Sequence, residues 1–589
     1  MAQIGIIGGG ISGLTLAFLL KKKGHEVRVF EASEQTGGAI KTTRDRQGWM
    51  AEWGPNTIIE SSERIKRLIS MLDLEEKRCY PDARAKKRYI VRDHRMVAVP
   101  GSLSDLIRTP LLSRQAKWSL IKEPFKPRKS GQKITGAKSS TVQQQQTETH
   151  RKNRGGGKHQ AESQHELATN ETLASFVRRR LGEEFLRWPI DALVGGIYAG
   201  DPEKLSVRHA FPRLALLEEQ HGSLLLGQLK GGVRRPAGSD EIPRNKAQIF
   251  SFHEGLQVLP DKLNSCLGDA VLCNAAVQSV SHISPEELES SHTQGRPVSH
   301  HNTPNHSESA KKDSAFTRER DSDRRKDTGR IADTIREKSI GRESYTGHEV
   351  DAAREREIGR KRINGRWKVT FTSPDNPPET FDVLIYAGTA HGIGNITFPH
   401  EMVSNLTLLT EIPHPPVVSL TLGFRRSDIA HSLDGFGVLV PRVEQLPILG
   451  TLFPSSLFPG RSPNRDHVTL TTYLGGMRQP EIADKSEEEQ TKLICDTLKK
   501  IIGLAGKPLF RHRIVWSKAI PQYHLDHHRF LDAMDQIEQD QPGFYLAGNY
   551  RTGISVGDTI NAAFDLTDRI SEDLKDRIDG DIVAHSVED

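Results

Sequence analysis

Apolar positions open the chain in a short run, Ile4, Ile6 and Ile7, break at three glycines, and resume almost without interruption over residues 11–20. The run predicts a buried strand, the break a tight turn, and the long stretch a helix. A second run, Val27, Val29 and Phe30, predicts a strand ending at Glu31. Apolar residues at helical spacing, Ile65, Leu68, Ile69 and Leu72, predict an amphipathic helix. Residues 88–91 and 95–100 read as a hairpin turning at Arg92, Asp93 and His94. From 102 to 229 the spacing is helical, through Leu103, Leu106 and Ile107, then Phe176, Val177 and Leu181, then Leu214, Leu217 and Leu224. Farther on, a helix is predicted over 256–267 and a strand pair within 271–280. Strands follow at 367–371 and 381–388. Those at 416–424, 437–441 and 467–474 are expected to build a second sheet. A last strand at 543–549 leads to a closing helix over 559–570.

Two stretches carry no such pattern. Residues 126–170 hold four consecutive glutamines and three consecutive glycines, and residues 285–362 are dense in Ser, His, Arg, Asp and Glu. Both are expected to be disordered insertions, too poor in apolar surface to offset the entropy of ordering. They depress the mean hydropathy to -0.54 and raise the charged fraction to 27%. They also hold the basic excess: 9 Lys/Arg against 3 Asp/Glu in the first and 17 against 16 in the second, of a net +6 for the chain. The patterned part is therefore near neutral, which argues against a nucleic-acid-binding surface. Cys79, Cys266, Cys273 and Cys495 are widely spaced and suggest neither a disulfide framework nor a metal site. The first apolar segment begins at residue 3, so no secretory or organellar presequence is expected ahead of it, and no run is long enough to span a bilayer. Secretion is not expected; any membrane contact is expected to be peripheral.

The chemistry is written first in Gly8, Gly10 and Gly13 between strand and helix. Gly8 permits the turn, Gly10 the approach of a pyrophosphate to the backbone, and Gly13 close packing of helix on strand. Helix N-terminal amides then face the phosphates, and Glu31 suits a ribose. A second glycine pair, Gly37 and Gly38, followed by Ala39, points to FAD rather than NAD. Within 271–280, Val277 is placed at the adenine edge. The strand ending in Ala387 and Gly388 has the small residues needed beside a nucleotide. Gly548, then Val556, Gly557 and Asp558, would offer amides to the far end of the ligand.

These segments, with residues 198–202, 205–206, 209–212, 435–441, 449–456 and 519–523, resemble the FAD-dependent amine oxidase superfamily and, within it, the protoporphyrinogen oxidase family. The resemblance implies an α/β fold: a Rossmann-like FAD-binding domain of the glutathione reductase and amine oxidase type, an α+β substrate domain, and a helical, membrane-associating middle region. The implied layout interleaves FAD-binding segments (1–84, 240–284, 363–395, 515–589) with substrate segments (85–101, 396–514) and the helical region (102–230).

The resemblance further implies oxygen-dependent six-electron oxidation of protoporphyrinogen IX on non-covalent FAD in haem biosynthesis, with hydrogen peroxide released. It assigns Arg88 to a substrate propionate, Leu439 and Phe453 to the macrocycle faces, and Asn56 with residues 195–200, Gly200 among them, to the flavin-facing cavity. Gly54, Asn56, Thr57 and Trp516 join the FAD-binding set, and no metal is implied. Implied partners are the porphyrinogen, molecular oxygen, a peripheral membrane surface, a ferrochelatase that receives the product, and a second copy in a homodimer, with no nucleic acid. The implied location is cytoplasmic or membrane-peripheral in a bacterium and the mitochondrial inner membrane in a eukaryote. Coproporphyrinogen III oxidation and amine oxidation are the alternatives of the same fold. A non-catalytic escort protein would not need both glycine motifs.

Overall fold

The computed structural model describes residues 1–127, 171–230, 240–243, 246–284, 287, 363 and 365–585. Its central sheet is parallel and five-stranded, in the order Val271–Leu272, Glu26–Phe30, Gln3–Ile7, Val383–Tyr386, Phe544–Leu546. One face is covered by three helices, Ile11–Lys22, Val258–Leu267 and Val556–His585. The first of them is wedged between the sheet and the other two, which is why residues 13–20 are all buried and why their sequence is apolar without a polar stripe. The opposite face carries an antiparallel sheet, Val277–Ile283, Arg366–Phe371 and Glu379–Phe381, and the helices His400–Leu409 and His528–Asp540.

A second sheet of seven strands runs Phe510–Trp516, Val417–Arg425, His467–Gly475, Gly450–Leu452, Gly435–Leu439, Lys87–Arg92, Arg95–Ala98. The hairpin at its edge turns through Asp93 and His94, both at positive φ, the twist that suits a two-residue loop. One face of this sheet (Val418, Leu420, Leu422, Phe424, Val438, Leu470, Leu474) packs on the helix Glu487–Ile502 and forms a closed core. The other face, one residue out of phase on every strand, is the one that meets the nucleotide-binding part.

The helical region comprises Leu103–Arg108, Arg114–Ile121, Leu173–Arg180, Asp191–Tyr198, Pro212–His221 and Leu224–Leu229, among shorter turns. Its framework is ionic as well as apolar: Glu123 and Arg180 pair at 2.6 Å, both fully buried, and Glu123 also accepts the amides of Leu224 and Leu225.

Three expectations need correction. The predicted strand 381–388 is two strands, because Asp382 pairs with Gln3 through both N–H groups and the chain changes sheets there. The closing helix begins at Val556 rather than 559 and runs to His585. The two patternless stretches lie outside the described residues except for Lys126, Pro127 and Glu287. Lys126 does not belong with the first of them: its ammonium donates to Ser119 Oγ (3.1 Å) and to the Arg180 carbonyl (2.9 Å).

Candidate active site

The glycine turn is shaped by its neighbours. Gly8 lies at φ +113°, and a Cβ there would come within 2.9 Å of the Ala387 carbonyl; Gly388 follows directly. A Cβ on Gly13 would stand 2.0 Å from the Gly8 oxygen, so helix and turn touch backbone to backbone. Gly10 is different. No atom lies within 4 Å of its Cβ position, and it begins a helix with no side-chain cap, leaving first-turn amides open. The space in front of Gly10 is thus of the kind a phosphate fills and a side chain would close.

Glu31 is held ready beside it. Its Oε2 accepts the Gly9 amide (2.8 Å), and its Oε1 accepts the amide and hydroxyl of Ser33 (2.9 and 2.7 Å). Oε1 is thereby filled, and Oε2 keeps a second lone pair for a ligand hydroxyl. The Gly37 amide donates to the Gly9 carbonyl, and a Cβ on Gly38 would lie 3.4 Å from Gly10 Cα, so the second glycine pair closes over the first. Gly38 and Ala39 are exposed toward that space. Val277, expected at the adenine edge, has its side chain buried in the core with Phe30, so only its backbone is on offer to a ligand.

From Ala39 the trough continues by contact. A Cβ on Gly54 would be 2.7 Å from the Ala39 oxygen. The Asn56 amide donates to the Gly54 carbonyl (3.1 Å) and to the Tyr473 hydroxyl (2.9 Å), while Thr57 is half-buried next in the chain. The Trp516 indole donates to the Trp53 carbonyl (3.1 Å), and Lys41 lies over the Trp53 ring at 5.3 Å. Gly548 follows the last central strand, packed against the Tyr550 ring. At the last helix, Gly557 lies near the Ile59 carbonyl, and Asp558 and Ser555 cap one another: the Asp558 amide donates to Ser555 Oγ (3.0 Å) and the Ser555 amide to Asp558 Oδ2 (3.2 Å). The Asp558 carboxylate is therefore engaged in orienting this turn, and Val556 is buried in the core beneath it.

Beyond the trough is the open face of the seven-stranded sheet. Strand pairing sets Arg88 opposite Gly437, Ile90 opposite Leu439, Leu439 opposite Gly450, and Gly450 opposite Tyr473. Arg88 is exposed; its guanidinium lies 5.7 Å over the Phe436 ring and has no hydrogen bond or ion pair among the described residues. Ile90, Leu111 and Ala192 form a buried apolar cluster beside it, with Leu439 partly exposed at its edge.

Two expected substrate residues do not reach this face. Phe453 is 0% exposed and lies in the closed core with Leu470 and Phe424. The cause is strand parity: Leu439 and Gly450 share the open face, so Leu452 shares it too and Phe453 cannot. Gly200 is buried, its Cβ position 2.6 Å from Gln522 Oε1, and it packs the end of the helix Asp191–Tyr198; the exposed Gly196, whose Cβ would strike Leu439 Cδ2 at 2.4 Å, is the glycine on the wall. Sequence reading missed Leu452 and Tyr473. The alternation Val468, Leu470, Leu474 against Thr469, Thr471, Tyr473 was the signal that puts Tyr473 on the working face. Burial pushes the Tyr473 hydroxyl well above its ordinary value, so it stays a neutral donor, and it points to Gly54 and Asn56.

The model of the flavin containing amine oxidoreductases matches residues 11–301 and 305–570. The chain is 28% identical over 570 residues to protoporphyrinogen oxidase 2, chloroplastic/mitochondrial, of Arabidopsis thaliana, covering 95% of this chain and 91% of that one. It is 23% identical over 581 residues to the coproporphyrinogen III oxidase of Bacillus subtilis (strain 168), covering 94% and 95%. In fold it matches a protein from Exiguobacterium sp. 255-15 with a TM-score of 0.62 at 18% identity, over 98% of this chain and 99% of that one. The open approach to Gly10, the poised Glu31 and the second glycine pair all fit FAD. With a family model spanning most of its length, the chain belongs to the flavin-containing amine oxidoreductases and is an FAD-dependent oxidoreductase.

Proposed function

We propose that this enzyme oxidises protoporphyrinogen IX to protoporphyrin IX, with molecular oxygen as the final acceptor. The observation that carries the reading is Arg88: an exposed cation with no hydrogen bond or ion pair among the described residues, beside an apolar cluster whose Leu439 is partly exposed. A flat, greasy macrocycle with acidic side chains has that same division of chemistry. A guanidinium offers the bidentate, charge-assisted pairing that a propionate takes. Leu439 and Leu452, both partly exposed, give the ring a surface, and Asn56 with Tyr473 fixes the rim of the trough where substrate and cofactor meet. When bound, FAD supplies the two-electron acceptor, used three times per porphyrin, with hydrogen peroxide formed from oxygen. The chain's own task is to orient the macrocycle and keep water from it. The names of the relatives support protoporphyrinogen over coproporphyrinogen, since the Arabidopsis protein is the more similar of the two. The test is porphyrin fluorescence on aerating the purified holoenzyme with each porphyrinogen in turn. Faster turnover of protoporphyrinogen is expected; turnover of coproporphyrinogen alone would overturn the assignment.

The product is nearly insoluble in water, and the helical region offers a place to deliver it. Phe125 is 88% and Leu229 77% exposed, with Ile107, Trp118 and Ile121 also projecting. Among the described residues no helix is long and apolar enough to cross a membrane. Side chains of this kind suit the interface of a bilayer, where Trp and Phe bury in the acyl boundary. We read this region as a peripheral membrane contact, with a ferrochelatase on the same surface as the receiver of the product and a homodimer as the assembled form.

A further inference from the structure

The helix Asp191–Tyr198 forms one wall of the open face, and it is fastened at both ends by a single loop. That loop follows the strand His467–Gly475. Its Gly475 and Gly476 are at positive φ, and the Met477 amide donates to the Ala199 carbonyl (2.7 Å), holding the C-terminal end of the helix. The next residue, Arg478, holds the N-terminal end. Its Nη2 donates to Asp191 Oδ2 (2.9 Å) and to the Asp191 carbonyl, and its Nη1 donates to the Val440 carbonyl (2.6 Å), one residue from Leu439. Asp191 also accepts the Arg442 amide (2.5 Å), and the Arg478 and Asp191 side chains are only 8% and 9% exposed.

The guanidinium passes directly under the helix. A Cβ on Gly195 would lie 2.4 Å from Arg478 Nη2, and a Cβ on Gly196 would lie 2.4 Å from Leu439 Cδ2. Two glycines in mid-helix are costly by propensity. Here they let the arginine and the leucine sit against the helix backbone.

We propose that Arg478 is a positioning residue that sets how the helix Asp191–Tyr198 stands over Leu439, the partly exposed residue of the proposed substrate site, by fixing that helix in register with Val440 and thereby Gly196 against Leu439. The inference rests on the proposed porphyrinogen reading for the identity of the substrate. It does not require Arg478 to touch substrate or cofactor. An ammonium in its place keeps the charge that Asp191 needs but cannot span Val440 and Asp191 in one plane.

The test uses the flavin-loaded full chain and four proteins: wild type, Arg478→Lys, Gly195→Ala, and the two changes combined. Arg478→Lys is expected to raise the KM for protoporphyrinogen at least tenfold, with kcat within threefold of wild type and flavin per chain unchanged. Gly195→Ala should do the same alone. Combined, the two should be no worse than Arg478→Lys alone, because the methyl group then no longer meets a fixed guanidinium. An unchanged KM in Arg478→Lys, a joint loss of kcat and flavin, or simple addition of the two effects would overturn the assignment. Should Arg478→Lys fail to fold, the neutral pair Asp191→Asn with Arg478→Gln replaces it, with the same expected rise in KM. A wild type inert toward porphyrinogens would instead sink the functional reading. The clamp would then be decided by melting temperatures without substrate, where Gly195→Ala should lower the value only while Arg478 is present.

Discussion

Arg88 is exposed, lies over the Phe436 ring and makes no hydrogen bond or ion pair among the described residues, so its removal leaves no buried polar group behind. Arg88→Ala is therefore expected to raise the KM for the porphyrinogen by about 1.5–3 kcal/mol of lost charge-assisted pairing, with flavin content and melting temperature near wild type. Arg88→Lys should recover part of that. Steady-state kinetics beside a thermal melt separates this from a surface arginine, whose loss would leave KM unmoved. The glycines give a second residue-scale contrast. Gly10→Val should fold yet carry no flavin, because its side chain enters the open space in front of the turn, whereas Gly13→Ala should not yield folded protein, its methyl group landing on the Gly8 oxygen. Absorbance of the purified variants near the flavin band, with a melt, reads both. These glycines were legible in sequence because the open approach at Gly10 and the backbone contact at Gly13 leave no substitute for them. Phe453 was misplaced because a motif gives a residue's neighbourhood, while only the two-residue period of its strand gives its side.

Among elements, the short helix Val207–Ala210 and the start of the helix His528–Asp540 meet through histidines. The His209 and His527 rings lie 5.5 Å apart, and Tyr523 packs on His527 at 4.3 Å. Burial lowers the pKa of His209 to about 4, helped by His528 and Arg208, and that of His527 to about 3, helped by His209. Both are neutral when folded and ordinary when unfolded, so the unfolded chain binds more protons as the pH falls below about 6.5. Stability should thus be full above that pH and decline steadily toward pH 4. Melting temperatures between pH 7.5 and 5 should show the decline, and His527→Phe should reduce it; a flat profile would mean that these rings are not buried in solution. No sequence pattern marks such a contact. The strands, helices and hairpin were legible from periodicity, but the meeting of residues 209 and 527 depends on packing between segments far apart in the chain. The switch of sheets at Asp382 was hidden for the same reason.

At the scale of the molecule, the most exposed large apolar side chains after Met1 among the described residues, Phe125, Leu229, Ile107, Trp118 and Ile121, all lie in the helical region, as a contact with lipid requires. The holoenzyme is expected to sediment with vesicles of phosphatidylcholine and phosphatidylglycerol, and the pair Trp118→Ser and Phe125→Ser to lose most of that binding while keeping its flavin. Equal sedimentation of both proteins would remove the proposed contact. The central sheet has a further consequence, for the making of the protein. Its first strand, Gln3–Ile7, is bordered on one side by Val383–Tyr386, and that strand in turn by Phe544–Leu546. The glycine turn emerges from the ribosome at once, but its floor arrives hundreds of residues later and its far wall almost last. Pairings so distant in sequence form slowly. The cofactor site is therefore a product of the finished chain: translation stopped anywhere before residue 544 leaves a nucleotide motif with no place to put the nucleotide, and an apolar first helix in need of a chaperone.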